Sequence, residues 1–99
     1  MLIHIVCWKY KEIIDAESRR EHIAKLKALP ETVPGILFFE VGSDILHLDR
    51  SFDTGLVAHF LDRDALDVYT AHPDHQIVAA MGKAISEKAV SVDFLTEAS

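Results

Sequence analysis

Apolar and polar positions along the chain change period at a few clear points, and those points divide it into elements. From Leu2 to Tyr10 (LIHIVCWKY) the alternation is two-fold, with Ile3, Ile5 and Cys7 on one face and Leu2, His4, Val6 and Trp8 on the other. The segment is rich in β-branched and aromatic residues, so it predicts a central strand that is apolar on both sides. From Asp15 the period lengthens: Ile23, Leu26 and Leu29 recur at helical spacing, Asp15 or Ser18 can cap the start, and Pro30 ends or tightens the last turn. Pro34 and Gly35 mark a turn. Residues 36–41 (ILFFEV) then read as a second strand, whose pattern admits a continuation past Gly42 through Ile45 to Leu48 before a hairpin at residues 49–51.

The third strand is predicted over residues 52–61, with Leu56, Ala58 and Phe60 on one face and Val57, His59 and Leu61 on the other. Asp62 caps a short helix that runs through Tyr69. Pro73 suits the first position of a further helix, with His72 before it and Ile77, Val78, Met81 and Ile85 as its buried stripe. Val90, Val92 and Phe94 close the chain as a fourth strand. Strand, helix, strand, strand, helix, strand is the ferredoxin-like split βαβ order: an α+β domain with a four-stranded antiparallel sheet and helices on one face. The other face would meet water, yet strands one and three are apolar on both sides. A two-fold partner packing sheet against sheet removes that exposed patch, so a homodimer of the dimeric α/β-barrel type is expected.

Length and composition narrow the function. Ninety-nine residues make one domain, residues 1–99, and too little chain for two cores. The 16 acidic residues outnumber the 10 basic ones for a net charge of −6, so no positive field draws in nucleic acid or anionic membrane surfaces. Lys9, Lys11, Arg19, Arg20, Lys25 and Lys27 crowd the first third, but Glu12, Asp15, Glu17 and Glu21 are interleaved with them, as on a solvated helix face. The single cysteine, Cys7, sits in an apolar strand and permits no intrachain disulfide; with no signal-like or membrane-spanning apolar run, the cytoplasm is the expected compartment.

The chemistry concentrates in Tyr69-Thr70-Ala71-His72-Pro73-Asp74-His75. Tyr69, His72 and His75 follow at three-residue intervals across a helix start and can share one side of the chain. A neutral imidazole can take a proton at physiological pH, and a phenol can donate a hydrogen bond to a carbonyl or its enolate. A bland reading stands beside this one: His72-Pro73 as a helix-start device, His75 bonded to a nearby carbonyl, and Tyr69 packed into the core. His4 and His59, each alternating with apolar residues on a strand, are candidates either for pocket-lining binding groups or for satisfied core histidines. His22 and His47 read as surface residues.

A metal site from His72 and His75 with His4 or His59 is disfavoured, because no second paired-ligand motif is present. Cys7 and the serines lack the setting of a nucleophile, and the glycines at 35, 42, 55 and 82 are too scattered to cradle a nucleotide, so no cofactor is expected.

The same heptapeptide, with His4-Ile5-Val6 and Trp8-Lys9 in strand one, and Leu29-Pro30 with Val33-Pro34-Gly35, resembles the stress-responsive dimeric α/β-barrel (Dabb) family over nearly the whole chain. The resemblance implies the same fold and dimer. Its plant polyketide-cyclase branch implies His75 as general base, Tyr69 as the donor that orients a carbonyl, and His4 as a pocket-lining polar group; His72 and His59 are further binding candidates from the residues alone. The implied reaction is proton abstraction next to a carbonyl, followed by intramolecular aldol closure or isomerisation of a small, polyketide-like compound. The alternative is a noncatalytic small-molecule-binding or stress-associated dimeric module. Two departures bear on substrate: Phe52 stands where relatives carry tyrosine, and Thr54-Gly55 puts a flexible residue in strand three, where a bulge or close backbone approach is expected.

Overall fold

A computed structural model describes residues 1–97. The elements run β1 (Leu2–Tyr10), α1 (Ala16–Ala28), a single 3₁₀ turn (Leu29–Glu31), β2 (Ile36–Ser43), β3 (Thr54–Phe60), α2 (Arg63–Ala71), α3 (Pro73–Ile85) and β4 (Ser86–Leu95). Neighbouring strands are antiparallel in the order β2-β3-β1-β4, the ferredoxin-like α+β arrangement. Among the described residues no helix is long and apolar enough to cross a membrane.

Local chemistry sets the boundaries. Asp15 accepts the backbone N–H of Ser18 at 2.8 Å and so caps α1, and Asp62 does the same for Ala65 at 2.9 Å on α2. His72 ends α2 with extended backbone and caps α3, accepting the N–H of Asp74 on Nδ1 at 3.1 Å. Pro73 then occupies the first turn, where its missing N–H costs nothing. Gly35, at φ 87°, turns the chain into β2 in a conformation only glycine adopts freely.

Register assigns every strand residue to a face. Leu2, Trp8 and Tyr10 of β1 join Leu56, Ala58 and Phe60 of β3 and Val41 of β2 against Leu26, Leu29, Leu66, Tyr69 and Val78 from the helical layer. Burying each large side chain of this set contributes roughly 1.5–3 kcal/mol. The opposite face carries Ile3, Ile5 and Cys7, paired with His59, Val57 and Gly55 on one side and with Phe94, Val92 and Val90 on the other. None of the described elements covers it, and Val92 is 53% exposed.

Several expectations from the sequence fail here, each for a local reason. The second strand stops at Ser43 instead of continuing to Leu48, because the Asp44 carboxylate takes the backbone N–H of His47 at 2.6 Å and His47 turns at φ 53°. Ile45, at 85% exposure, therefore sits on a loop. Gly55 is no bulge: its register with Cys7 and Gly42 is regular, and the irregularities fall between Lys9 and Tyr10 and between Ile36 and Phe38. Ile77 is 70% exposed, because α3 turns Val78 and Gly82 inward. His22, expected at the surface, is 0% exposed.

Candidate functional site

The break between α2 and α3 aims two side chains at one space. Tyr69 occupies the last turn of α2 and is 2% exposed, and His75 lies in the first turn of α3. Their rings are 4.2 Å apart between centroids. His75 Nδ1 lies 3.1 Å from the Thr70 carbonyl. A carbonyl can only accept, so Nδ1 carries the proton and Nε2 keeps its lone pair. Burial lowers the His75 pKa below the ordinary imidazole value, against the opposing effect of the Thr70 carbonyl and with further lowering from His4 and His72. The ring is therefore held neutral, and base-competent at Nε2. Burial also pushes the Tyr69 phenol well above its ordinary range, so it keeps its proton and remains a donor.

His4 completes the group from the sheet. Its ring stands edge-on to Tyr69 at 5.9 Å, and its Nδ1 is hydrogen-bonded to the carboxylate of Asp93, its cross-strand neighbour on β4. A carboxylate on Nδ1 fixes both ring orientation and tautomer. His4, Tyr69 and His75 all line one cavity of about 630 Å³ between α3 and the β1–β4 half of the sheet.

The other two predicted binding histidines lie elsewhere. His72 spends a ring nitrogen on the α3 cap and is not part of the cavity wall. His59 is on the open sheet face, stacked on Phe38 at 4.5 Å, with the whole sheet between it and Tyr69. Asp93 was not legible as a site residue. Its one signal was a charged side chain on a strand otherwise alternating Val90, Val92 and Phe94, and only the register reveals that His4 is opposite. Among the described residues no three His, Cys, Asp or Glu side chains group as they would around a metal ion.

Comparison with known proteins agrees with this architecture. The family described as the stress responsive A/B barrel domain matches residues 2–96. No curated protein matches. A dimeric ferredoxin-like protein of unknown function from Thermobifida fusca superposes with a TM-score of 0.88 at 23% identity, over 96% of this chain and 90% of that one. A second dimeric ferredoxin-like protein of unknown function, from Jannaschia, gives a TM-score of 0.81 at 27% identity, over 96% of this chain and 98% of its own. The hydroxynitrile lyase of Passiflora edulis gives 0.87 at 20% identity, over 99% and 94% of the two chains.

Proposed function

Because the chain belongs to the stress-responsive A/B barrel domain family, we propose that it is a cofactor-independent homodimeric enzyme of the cyclase or isomerase type, acting by acid–base chemistry on a small carbonyl compound. The observation that carries this reading is a single cavity lined by both Tyr69 and His75, with the His75 Nε2 lone pair uncommitted. Nε2 takes a proton from the carbon next to the substrate carbonyl, and the Tyr69 hydroxyl donates to the carbonyl oxygen as the enolate forms. The enolate then attacks a second carbonyl of the same molecule or is reprotonated at a new position, and the His75 imidazolium returns its proton. His4, oriented by Asp93, offers a further polar contact at that end of the cavity. A lyase with this fold in Passiflora supports the idea that the architecture can host chemistry, by analogy alone.

The site is tested by proton exchange at carbon. In deuterated buffer the protein should accelerate exchange next to the carbonyl for at least one member of a panel of small β-keto esters and methyl ketones, followed by NMR. His75→Ala should lose about 100-fold or more of that acceleration, and Tyr69→Phe on the order of tenfold to 100-fold. Binding of panel members without any exchange would instead support a noncatalytic module.

The dimer reading rests on the uncovered apolar face of β1, β3 and β4 and on the description of the Thermobifida and Jannaschia relatives as dimeric. Two sheets facing each other about a two-fold axis would close it. Sedimentation should give twice the 11.1 kDa chain mass at micromolar concentration, and a stable monomer would overturn the proposal. A single-domain, acidic protein with one thiol fits work on small molecules in the cytoplasm, away from nucleic acid and membranes.

A further inference from the structure

The cavity has a second end, chemically unlike the first. His75, Ala79 and Lys83 all line it, at four-residue steps along one side of α3. Eight residues of helix place Lys83 about 12 Å from His75. Ser86, where α3 passes into β4, lines the same end, and its hydroxyl is buried without a hydrogen-bond partner among the described residues. No carboxylate pairs with Lys83 there: Glu87 lies on the same rim, but the ion pairs formed among the described residues do not include it. Lys88 also borders the cavity, but its pairing with Lys9 puts it in register with the open sheet face.

Between the two ends the wall is apolar, formed by Val6, Trp8 and Leu56 against the small side chain of Ala79. The charge pattern is directional. Asp93 stands behind His4 at the Tyr69 end, and an uncommitted ammonium with a free hydroxyl stands at the other. An anion meets a carboxylate behind His4 at the first end, whereas at the second it finds an ammonium that Glu87, on the same rim, does not pair.

We propose that the ligand is bipartite: a carbonyl at the Tyr69–His75 end, an apolar middle over Val6, Leu56 and Ala79, and a carboxylate bound by Lys83 and Ser86. The carbonyl end rests on the acid–base reading above, whereas the carboxylate end does not. Lys83 supplies a charge-assisted hydrogen bond and the Ser86 hydroxyl a second donor, an arrangement that a neutral ester cannot satisfy equally.

Trp8 is the only tryptophan of the chain and lines the cavity, so its emission reports binding directly. The probes are an oxodecanoate whose ketone sits on the carbon before last, long enough to reach both ends, and its methyl ester. The acid should quench Trp8 with an affinity about tenfold or more above that of the ester. Lys83→Met should erase this preference by lowering the affinity for the acid to that for the ester, and Ser86→Ala should reduce it by about threefold. His75→Ala should keep the preference. Equal binding of acid and ester, quenching by neither, or a preference that survives Lys83→Met would overturn the proposal. Retained acid preference in a protein that exchanges no carbon-bound proton would sink the acid–base reading alone.

Discussion

Two tyrosine–histidine pairs lie on the helix-covered side of the same sheet, and they are built to opposite ends. At one end Tyr10 of β1 meets His22 of α1, its hydroxyl 2.7 Å from Nδ1 and 2.8 Å from Thr54 Oγ1. Trp8 stands edge-on to His22 at 5.0 Å, and Gly82 of α3 closes the remaining side. A Cβ on Gly82 would lie 2.7 Å from His22 Nε2 and 3.1 Å from Trp8 Nε1, so the glycine is what lets α3 approach. At the other end the Tyr69 and His75 rings meet at a tilt of 42° without a mutual hydrogen bond, and both line the cavity. The residue types are identical. Each histidine commits only Nδ1, and His22 Nε2 is buried without a partner among the described residues; what separates the structural pair from the candidate reactive one is the tyrosine, since the Tyr10 hydroxyl is bonded twice in a sealed site, whereas Tyr69 makes no hydrogen bond among the described residues and lines the cavity.

The largest expected effect tests that distinction on the tyrosines. Tyr10→Phe removes one oxygen and strands two buried polar groups, His22 Nδ1 and Thr54 Oγ1, so it should destabilise the fold by about 2 kcal/mol. Tyr69→Phe strands nothing and preserves the packing against Phe60 and His75, so its stability should stay within about 0.5 kcal/mol of the parent. Urea unfolding of both variants checks this. Equal losses would mean that Tyr69 is as structural as Tyr10, and the site would lose its distinguishing feature.

How far the sequence reveals these two ends depends on what each one needs. The Tyr69–His75 end was legible because a helix break at His72-Pro73 is local chemistry, and the three-residue spacing survives it. The sealed end is hidden in the sequence. His22 is flanked by Arg19, Arg20 and Glu21 and reads as part of a solvated face, yet it stands four residues before Leu26 and seven before Leu29, the interval that defines a buried stripe. Sequence neighbours misled where helical neighbours would have told. The two-sided apolar character of β1 was readable from its period, as was the alternation of β4. The His4–Asp93 contact was not, since 89 residues separate the partners and only strand register joins them. The end of β2 was also beyond the pattern, because the Asp44 side chain that stops it acts by a hydrogen bond that alternation of apolar residues does not encode.

The smaller effect is in pH, and it sharpens the comparison from the histidine side. Burial lowers the pKa of His22 from its ordinary 6.5, as it does that of His75, where the Thr70 carbonyl partly offsets the lowering. In both cases the folded protein prefers the neutral ring, and the unfolded chain binds the proton first. Stability is therefore fully present above about pH 6.5 and falls as the pH drops from there toward the folded-state value. Urea midpoints measured at about pH 7.5 and 5.5 should show that decline in the parent protein. His22→Gln, which lowers stability at both pH values, should flatten the decline more than His75→Ala does, because His22 is fully buried and burial is its only shifting influence. Stability that rises on acidification, or a decline that survives the loss of His22 unchanged, would show that the sealed pair accepts a proton as readily as the open one.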